Sequence, residues 1–87
     1  MDVRIPTPLR SYTNQAAVVT ADGSTVDALL LDLDRQFPGL RFRVVDEQGQ
    51  LRKHMKVFVN RESVRDLTTA ISERDEVVLM QALSGGA

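Results

Sequence analysis

The spacing of apolar residues divides the chain into one amphipathic helix and several short alternating strands. Asp2 to Thr7 alternates, with Val3 and Ile5 on one face, and predicts a first strand. Pro6 and Pro8 cannot donate to a ladder, so regular pairing is expected to end near Ile5 to Thr7, with Pro8 to Asn14 as a loop. Gln15 to Thr20 predicts a second strand around Val18 and Val19, closed by the turn residues Asp22 and Gly23. The two strands read as a hairpin.

The helix follows at once. Ser24 can cap it, with Asp27 three residues on in a capping-box arrangement where the short Asp replaces the usual Glu and suits the positive end of the helix dipole. Val26, Leu29, Leu30, Leu33 and Phe37 fall on one stripe, Asp27, Asp32, Asp34 and Arg35 point to water, and Leu31 lies off the stripe, partly exposed. Pro38 and Gly39 stop the helix. One such helix needs one sheet face to cover it.

Met55 to Asn60 alternates again, with Met55, Val57 and Val59 on one face and Lys56 and Phe58 on the other. Asn60-Arg61-Glu62 predicts a turn and Ser63 to Arg65 a short return strand, with Leu67 and Ile71 as apolar plugs before a last strand, Glu76 to Ala82. The expected core is Val3, Ile5, Val18, Val26, Leu29, Leu30, Leu33, Val57, Val59, Leu67, Val77 and Leu79. Alternation then forces Val78 and Met80 onto the helix-free face, where with Phe58 they form an exposed apolar cluster of the kind that marks a docking site.

Composition narrows the function classes. A chain of 87 residues is one domain, expected over residues 1–83 with a flexible tail at 84–87. Its 11 Lys/Arg nearly balance 12 Asp/Glu, which argues against a nucleic-acid binder. Arg41 to Lys56 is rich in basic residues, but the interleaved Asp46 and Glu47, and the lack of stacking aromatics other than Phe42, predict a solvated connection carrying one short strand. His54 has no second His and there is no Cys, so neither a metal centre nor a cysteine nucleophile is expected; Asp46-Glu47-Gln48-Gly49 reads as a turn. The N-terminus lacks a signal-peptide pattern and no apolar run is long enough for a bilayer, so the expected location is the cytoplasm.

The tail carries the candidate chemistry. Glycine loses the most entropy on ordering, so Ser84-Gly85-Gly86-Ala87 directly after an apolar strand calls for a reason. A partner can thread Gly-Gly through a channel too narrow for a Cβ and bring a carboxylate to a reacting phosphate or sulfur. The other reading is a frayed end.

Hairpin, helix across the sheet and a final strand running into Gly-Gly is the order of the α+β β-grasp, or ubiquitin-like, fold. In detail the chain resembles the ThiS/MoaD sulfur-carrier family, most of all its CysO-like subgroup. The resemblance runs through Ile5-Pro6-Thr7-Pro8-Leu9-Arg10, Tyr12-Thr13, Phe37-Pro38-Gly39-Leu40, Asp46 to Arg52, Val57-Phe58-Val59-Asn60, Asp75-Glu76-Val77 and Gly85-Gly86. It implies a mixed sheet of four to five strands covered on one face by one main helix. Three departures stand out: Arg61 and Arg74 occupy turn positions where the family usually has Gly, and Ala87 follows Gly86.

The resemblance further implies a consumable carrier and not an enzyme. An E1-like adenylating enzyme would bind Phe58, Val78 and Met80 and adenylate the Gly86 carboxylate with its own ATP and magnesium. A sulfurtransferase would then convert Gly86 to a thiocarboxylate, which a sulfur-accepting biosynthetic enzyme would consume. Ala87 would first have to be removed, a zinc isopeptidase being the expected agent. The chain itself would bind no cofactor, metal, nucleic acid or membrane. Against this stands a β-grasp interaction module or regulatory subunit that is never activated.

Overall fold

Five strands form a single mixed sheet in the order β2-β1-β5-β3-β4 in the computed structural model, which describes residues 1–82. They are β1 (Asp2–Arg4), β2 (Val18–Thr20), β3 (Met55–Val59), β4 (Glu62–Val64) and β5 (Val77–Gln81). The helix α1 (Val26–Gln36) covers one face, and a shorter helix α2 (Leu40–Val44) follows it. The tail residues Ser84, Gly85, Gly86 and Ala87 lie outside the described residues.

Each element has a local cause. Alternation sets Val3, Val57, Val77 and Leu79 against the stripe Val26, Leu29, Leu30 and Leu33, all of them 2% exposed or less. Leu31 is exposed, as its position off the stripe requires. The helix cap is Thr25 and not Ser24: the Thr25 hydroxyl accepts from Ala28 N–H at 3.1 Å. Asp27 therefore closes no capping box with Ser24. Its carboxylate instead meets the Arg41 guanidinium at 2.7 Å and ties the start of α1 to α2. Asp34 is likewise recruited, accepting from Gly39 N–H at 3.1 Å and Arg41 N–H at 3.2 Å at the start of α2. Gly39 reaches φ 95°, and a Cβ there would sit 3.2 Å from the Tyr12 ring.

Four further expectations need correction. Val18 is 42% exposed, whereas Val19 packs against the core. The hairpin register pairs Val19 with the buried Val3, and opposed residues share a face, so a one-residue slip in reading this valine doublet reverses the strand. Val59 and Leu67 are only half-buried, at the margin of the core. The segment Thr7–Thr13 is a 3-10 helix and not a loop; Pro8 begins it and Leu9 and Thr13 are buried. In place of a strand between Arg41 and Lys56, α2 buries Leu40 and Val44 at i, i+4 spacing, and the expected pairing shrinks to one bridge between Val45 and Leu51. The Asp46 turn is present, its carboxylate accepting from the N–H groups of Gln48 and Gln50.

At the free edge beside β2, the last turns of α1 reach over the sheet. The Gln36 amide donates to Thr20 C=O at 3.0 Å, and Asp32 accepts from Asp22 N–H at 3.0 Å and from Arg35.

The two-residue turn between β3 and β4 places Asn60 at φ 51° and Arg61 at φ 73°, the left-handed pair of a type I′ hairpin. Asn60 suits that region; Arg61, with a Cβ, is strained in it. Arg74 escapes the same strain: the Ser72–Asp75 turn closes through Asp75 N–H to Ser72 C=O at 2.9 Å, and Arg74 is not among the residues with positive φ. Asn60 also joins the two turns. Its amide donates to the Asp75 carboxylate at 2.8 Å and accepts from Glu76 N–H at 2.9 Å.

Two measurements test this corner. Arg61→Gly is expected to stabilise the fold by about 0.5–1 kcal/mol, relief of the left-handed arginine outweighing the extra freedom of the unfolded glycine. It should appear as a higher urea midpoint at unchanged slope. The Asn60 amide, followed by Ser72 N–H, holds the Asp75 carboxyl below its ordinary value of 3.8. Its ionised form thus stabilises the fold above that value, and the contribution disappears as pH falls through the lower folded value. Asn60→Gly keeps the turn and removes the amide, and carboxyl NMR titration should then find Asp75 shifted back up towards 3.8.

Candidate functional site

The sheet face away from α1 carries no helix, and cross-strand register determines what stands on it. One row crosses four strands: Val18 lies opposite Arg4, Arg4 opposite Val78, and Val78 opposite Phe58. Met80 lies two residues further along β5, opposite Lys56. Phe58, Val78 and Met80 are thus brought together on one face, as their alternation predicted. Phe58 and Val78 are half-buried by their neighbours, and Met80 is 46% exposed.

Sequence reasoning missed a fourth apolar member, Val18, by assigning it to the core. The identity of Val3 as a buried residue on the paired strand is the signal that could have found it. Two cations are set into the apolar surface, Arg4 between Val18 and Val78 and Lys56 beside Met80, both exposed. Among the described residues neither pairs with an acidic side chain; the ion pairs there join Met1 to Asp22, Arg35 to Asp32 and Arg41 to Asp27.

The face ends where the tail begins. Gln81 pairs with Met55, and Ala82 N–H donates to His54 C=O at 2.7 Å, extending the β3–β5 ladder by one bond. Gly86 follows Gln81 by five residues, a reach of at most about 17 Å when extended. Beside this point opens a groove lined by Phe42, Arg43, Lys53, His54, Met55 and Gln81. On its rim the Arg52 guanidinium sits over the exposed Phe42 ring, 4.6 Å from its centre, and its Nε donates to Phe42 C=O at 2.7 Å. Among the described residues no three His, Cys, Asp or Glu side chains come together to hold a metal ion, and no helix is long and apolar enough to cross a membrane. Among the described residues the face offers apolar contact and two cations without an acidic partner, next to the point where β5 ends.

These features coincide with those of known proteins over the full length described. The model of the ThiS family matches residues 3–86. The sulfur carrier protein CysO of Mycobacterium tuberculosis is 37% identical over 89 residues, which span 97% of this chain and 96% of that protein. Among solved structures, the Amycolatopsis orientalis BexX/CysO complex contains a chain of 33% identity with TM-score 0.90, covering 98% of both chains. SAMP1 from Haloferax volcanii is 29% identical with TM-score 0.83, covering 99% of this chain and 98% of the other. The sheet order, the single covering helix and this agreement from Val3 to Gly86 establish that the chain belongs to the ThiS family and has its ubiquitin-like β-grasp fold.

Proposed function

We propose that this protein is a sulfur carrier whose reactive group is the carboxylate of Gly86. The observation that carries this reading is the family match, which extends through Gly85 and Gly86 and so includes the tail as well as the fold. The chain's own residues supply recognition and delivery. The Val18, Phe58, Val78 and Met80 face docks an E1-like adenylating enzyme, and β5 aims the side-chain-free Gly85-Gly86 at its nucleotide site.

The chemistry proceeds in balanced steps. A Gly86 carboxylate oxygen attacks the α-phosphorus of ATP and pyrophosphate leaves, with phosphates and magnesium held by the partner. A sulfurtransferase persulfide then attacks the acyl carbon and AMP departs. A second thiol cleaves the resulting acyl disulfide, leaving the thiocarboxylate on Gly86 and a disulfide on the donor side. The thiocarboxylate sulfur then displaces a leaving group on the acceptor held by a biosynthetic enzyme. Water cleaves the resulting thioester to release the sulfur on the acceptor and restore the Gly86 carboxylate, so the protein is a substrate and not a catalyst.

Ala87 sets a condition on the first step. While it is attached, the Gly86 carbonyl is an amide, whose oxygen is far too poor a nucleophile for adenylation. A peptidase must therefore act first, and a zinc isopeptidase suits a slender tail because its metal-activated water attacks a bond held in a narrow groove. The 87-residue form and a form ending at Gly86 can be incubated with ATP, the adenylating enzyme of the same organism and a sulfur donor, then weighed. Thiocarboxylate should form on the shorter form alone. Equal conversion of both refutes the need for trimming, and no conversion of either, with an enzyme that binds the chain, favours the non-activated interaction module.

The docking face has its own test. Phe58→Ala, Met80→Asp and Val18→Asp are each expected to weaken binding to the adenylating enzyme by more than about 1–2 kcal/mol while the circular dichroism spectrum and unfolding midpoint stay near those of the parent. Because Arg4 and Lys56 bring unpaired charge to the same surface, the complementary partner surface carries carboxylates, and association should slow as salt is raised. Undiminished binding by all three variants rejects the face.

A further inference from the structure

We infer that Arg65 is a positioning residue that fixes the direction in which the C-terminal tail leaves the sheet. The inference rests on the reading of Gly86 as the reactive end. Strand β4 stops at Val64, opposite Val57, while β3 begins two residues earlier at Met55, so Met55 C=O lies beyond the end of its neighbouring strand. The Arg65 guanidinium fills that place. Its Nη1 donates to Met55 C=O at 3.1 Å, and its Nη2 donates to Leu51 C=O and Arg52 C=O, each at 3.1 Å.

A planar fork with five fixed donors can gather three carbonyls in this way; an ammonium on a flexible stem cannot span them. None of the described acidic side chains forms an ion pair with Arg65, so its interactions within the described protein are spent on this one turn. The turn is gripped on its other side by the root of the tail. His54, enclosed between the carbonyls that Arg65 holds, accepts the Ala82 N–H at 2.7 Å. Arg65 and Ala82 thus clamp the 51–55 segment from opposite edges of β3, and Arg65 acts on the tail through the backbone of His54.

Gly86 follows Ala82 by four residues, so the place where Ala82 is held sets the point from which the tail must reach a nucleotide site, and a reacting nucleophile tolerates little misplacement. The clamp adjoins the docking face only at its Lys56–Met80 end and leaves the row of Val18, Val78 and Phe58 untouched. Loosening it should therefore largely preserve partner binding and lower the fraction of bound carriers whose tail enters productively.

The test compares Arg65→Met and Arg65→Lys with the parent, all ending at Gly86, by amide hydrogen exchange and by adenylation kinetics with the organism's own adenylating enzyme. In Arg65→Met, Ala82 should exchange about tenfold faster while the interior of β5, Val77 to Leu79, keeps its protection. Adenylation kcat should fall about tenfold with KM within about twofold, the reverse of the pattern expected of Phe58→Ala, and Arg65→Lys should be intermediate in both readouts. If Arg65→Met fails to fold, Arg65→Lys alone decides the matter by the same two measurements. Unchanged exchange at Ala82, faster exchange with unchanged kcat, or loss of protection throughout β5 each overturn the inference. Absence of adenylation in the parent overturns the carrier reading instead, and Ala82 exchange still reports whether the clamp exists.

Discussion

The parallel pairing of β1 with β5 is the constraint from which the rest of this structure follows. Val3 meets Val77 and Arg4 meets Val78, joining the first strand of the sequence to the last at the middle of the sheet. Both Val3 and Val77 are fully buried beneath α1, so the two ends of the described chain are locked by apolar contact as well as by the ladder. The same pairing sends the tail out from a central strand and not from an edge. β1 holds the first half of β5, at Val77 and Val78, and β3 alone carries the pairing on to Gln81 and Ala82.

Around that pairing the two sheet faces differ, one forming the core beneath α1 and the other left without a helix. Every second residue of β5 looks into the core, Val77 and Leu79, and the alternate ones, Val78 and Met80, look out. The outward set is apolar yet interrupted by Arg4 and Lys56. This mixture suits the docking role proposed for the face, since cations break up the apolar surface and would serve as charge contacts once a partner covered it.

Sequence patterning revealed elements whose signal was periodic and redundant. The α1 stripe recurs at helical spacing and Met55, Val57 and Val59 alternate in β3; Val77 to Met80 is a continuous apolar run, and matching Val77 and Leu79 to the core left Val78 and Met80 with Phe58 on the outward face. What patterning could not resolve was decided by tertiary contact. The Val18-Val19 doublet offers an apolar residue to either face, and only the partner Val3 chooses between them. Leu40 and Val44 lie in an arginine-rich stretch whose charge masks their spacing, and α2 exists because these two find room against α1 and because Asp34 and Asp27 reach across to it. Ser24 and Thr25 are equally good caps in isolation, and the bridge of Thr25 to Ala70 selects the second. Family resemblance pointed to Gly86, whereas neither Arg65 nor the His54 carbonyl has any local sequence signature, because their link is made across strands.

The contact of Gln36 with Thr20 has a bearing on assembly. A strand at the margin of a sheet offers unpaired amides and carbonyls to any extended segment that drifts past, and β2 would do so along its outer side. The Gln36 amide at the end of α1 occupies the Thr20 carbonyl and so removes one acceptor from that margin. An extended peptide that seeks to lengthen this sheet is left with the far margin at β4, a strand of three residues preceded by a tight left-handed turn, which offers a very short template. A second copy of the chain thus finds a short strand at either margin, one of them with an acceptor already taken.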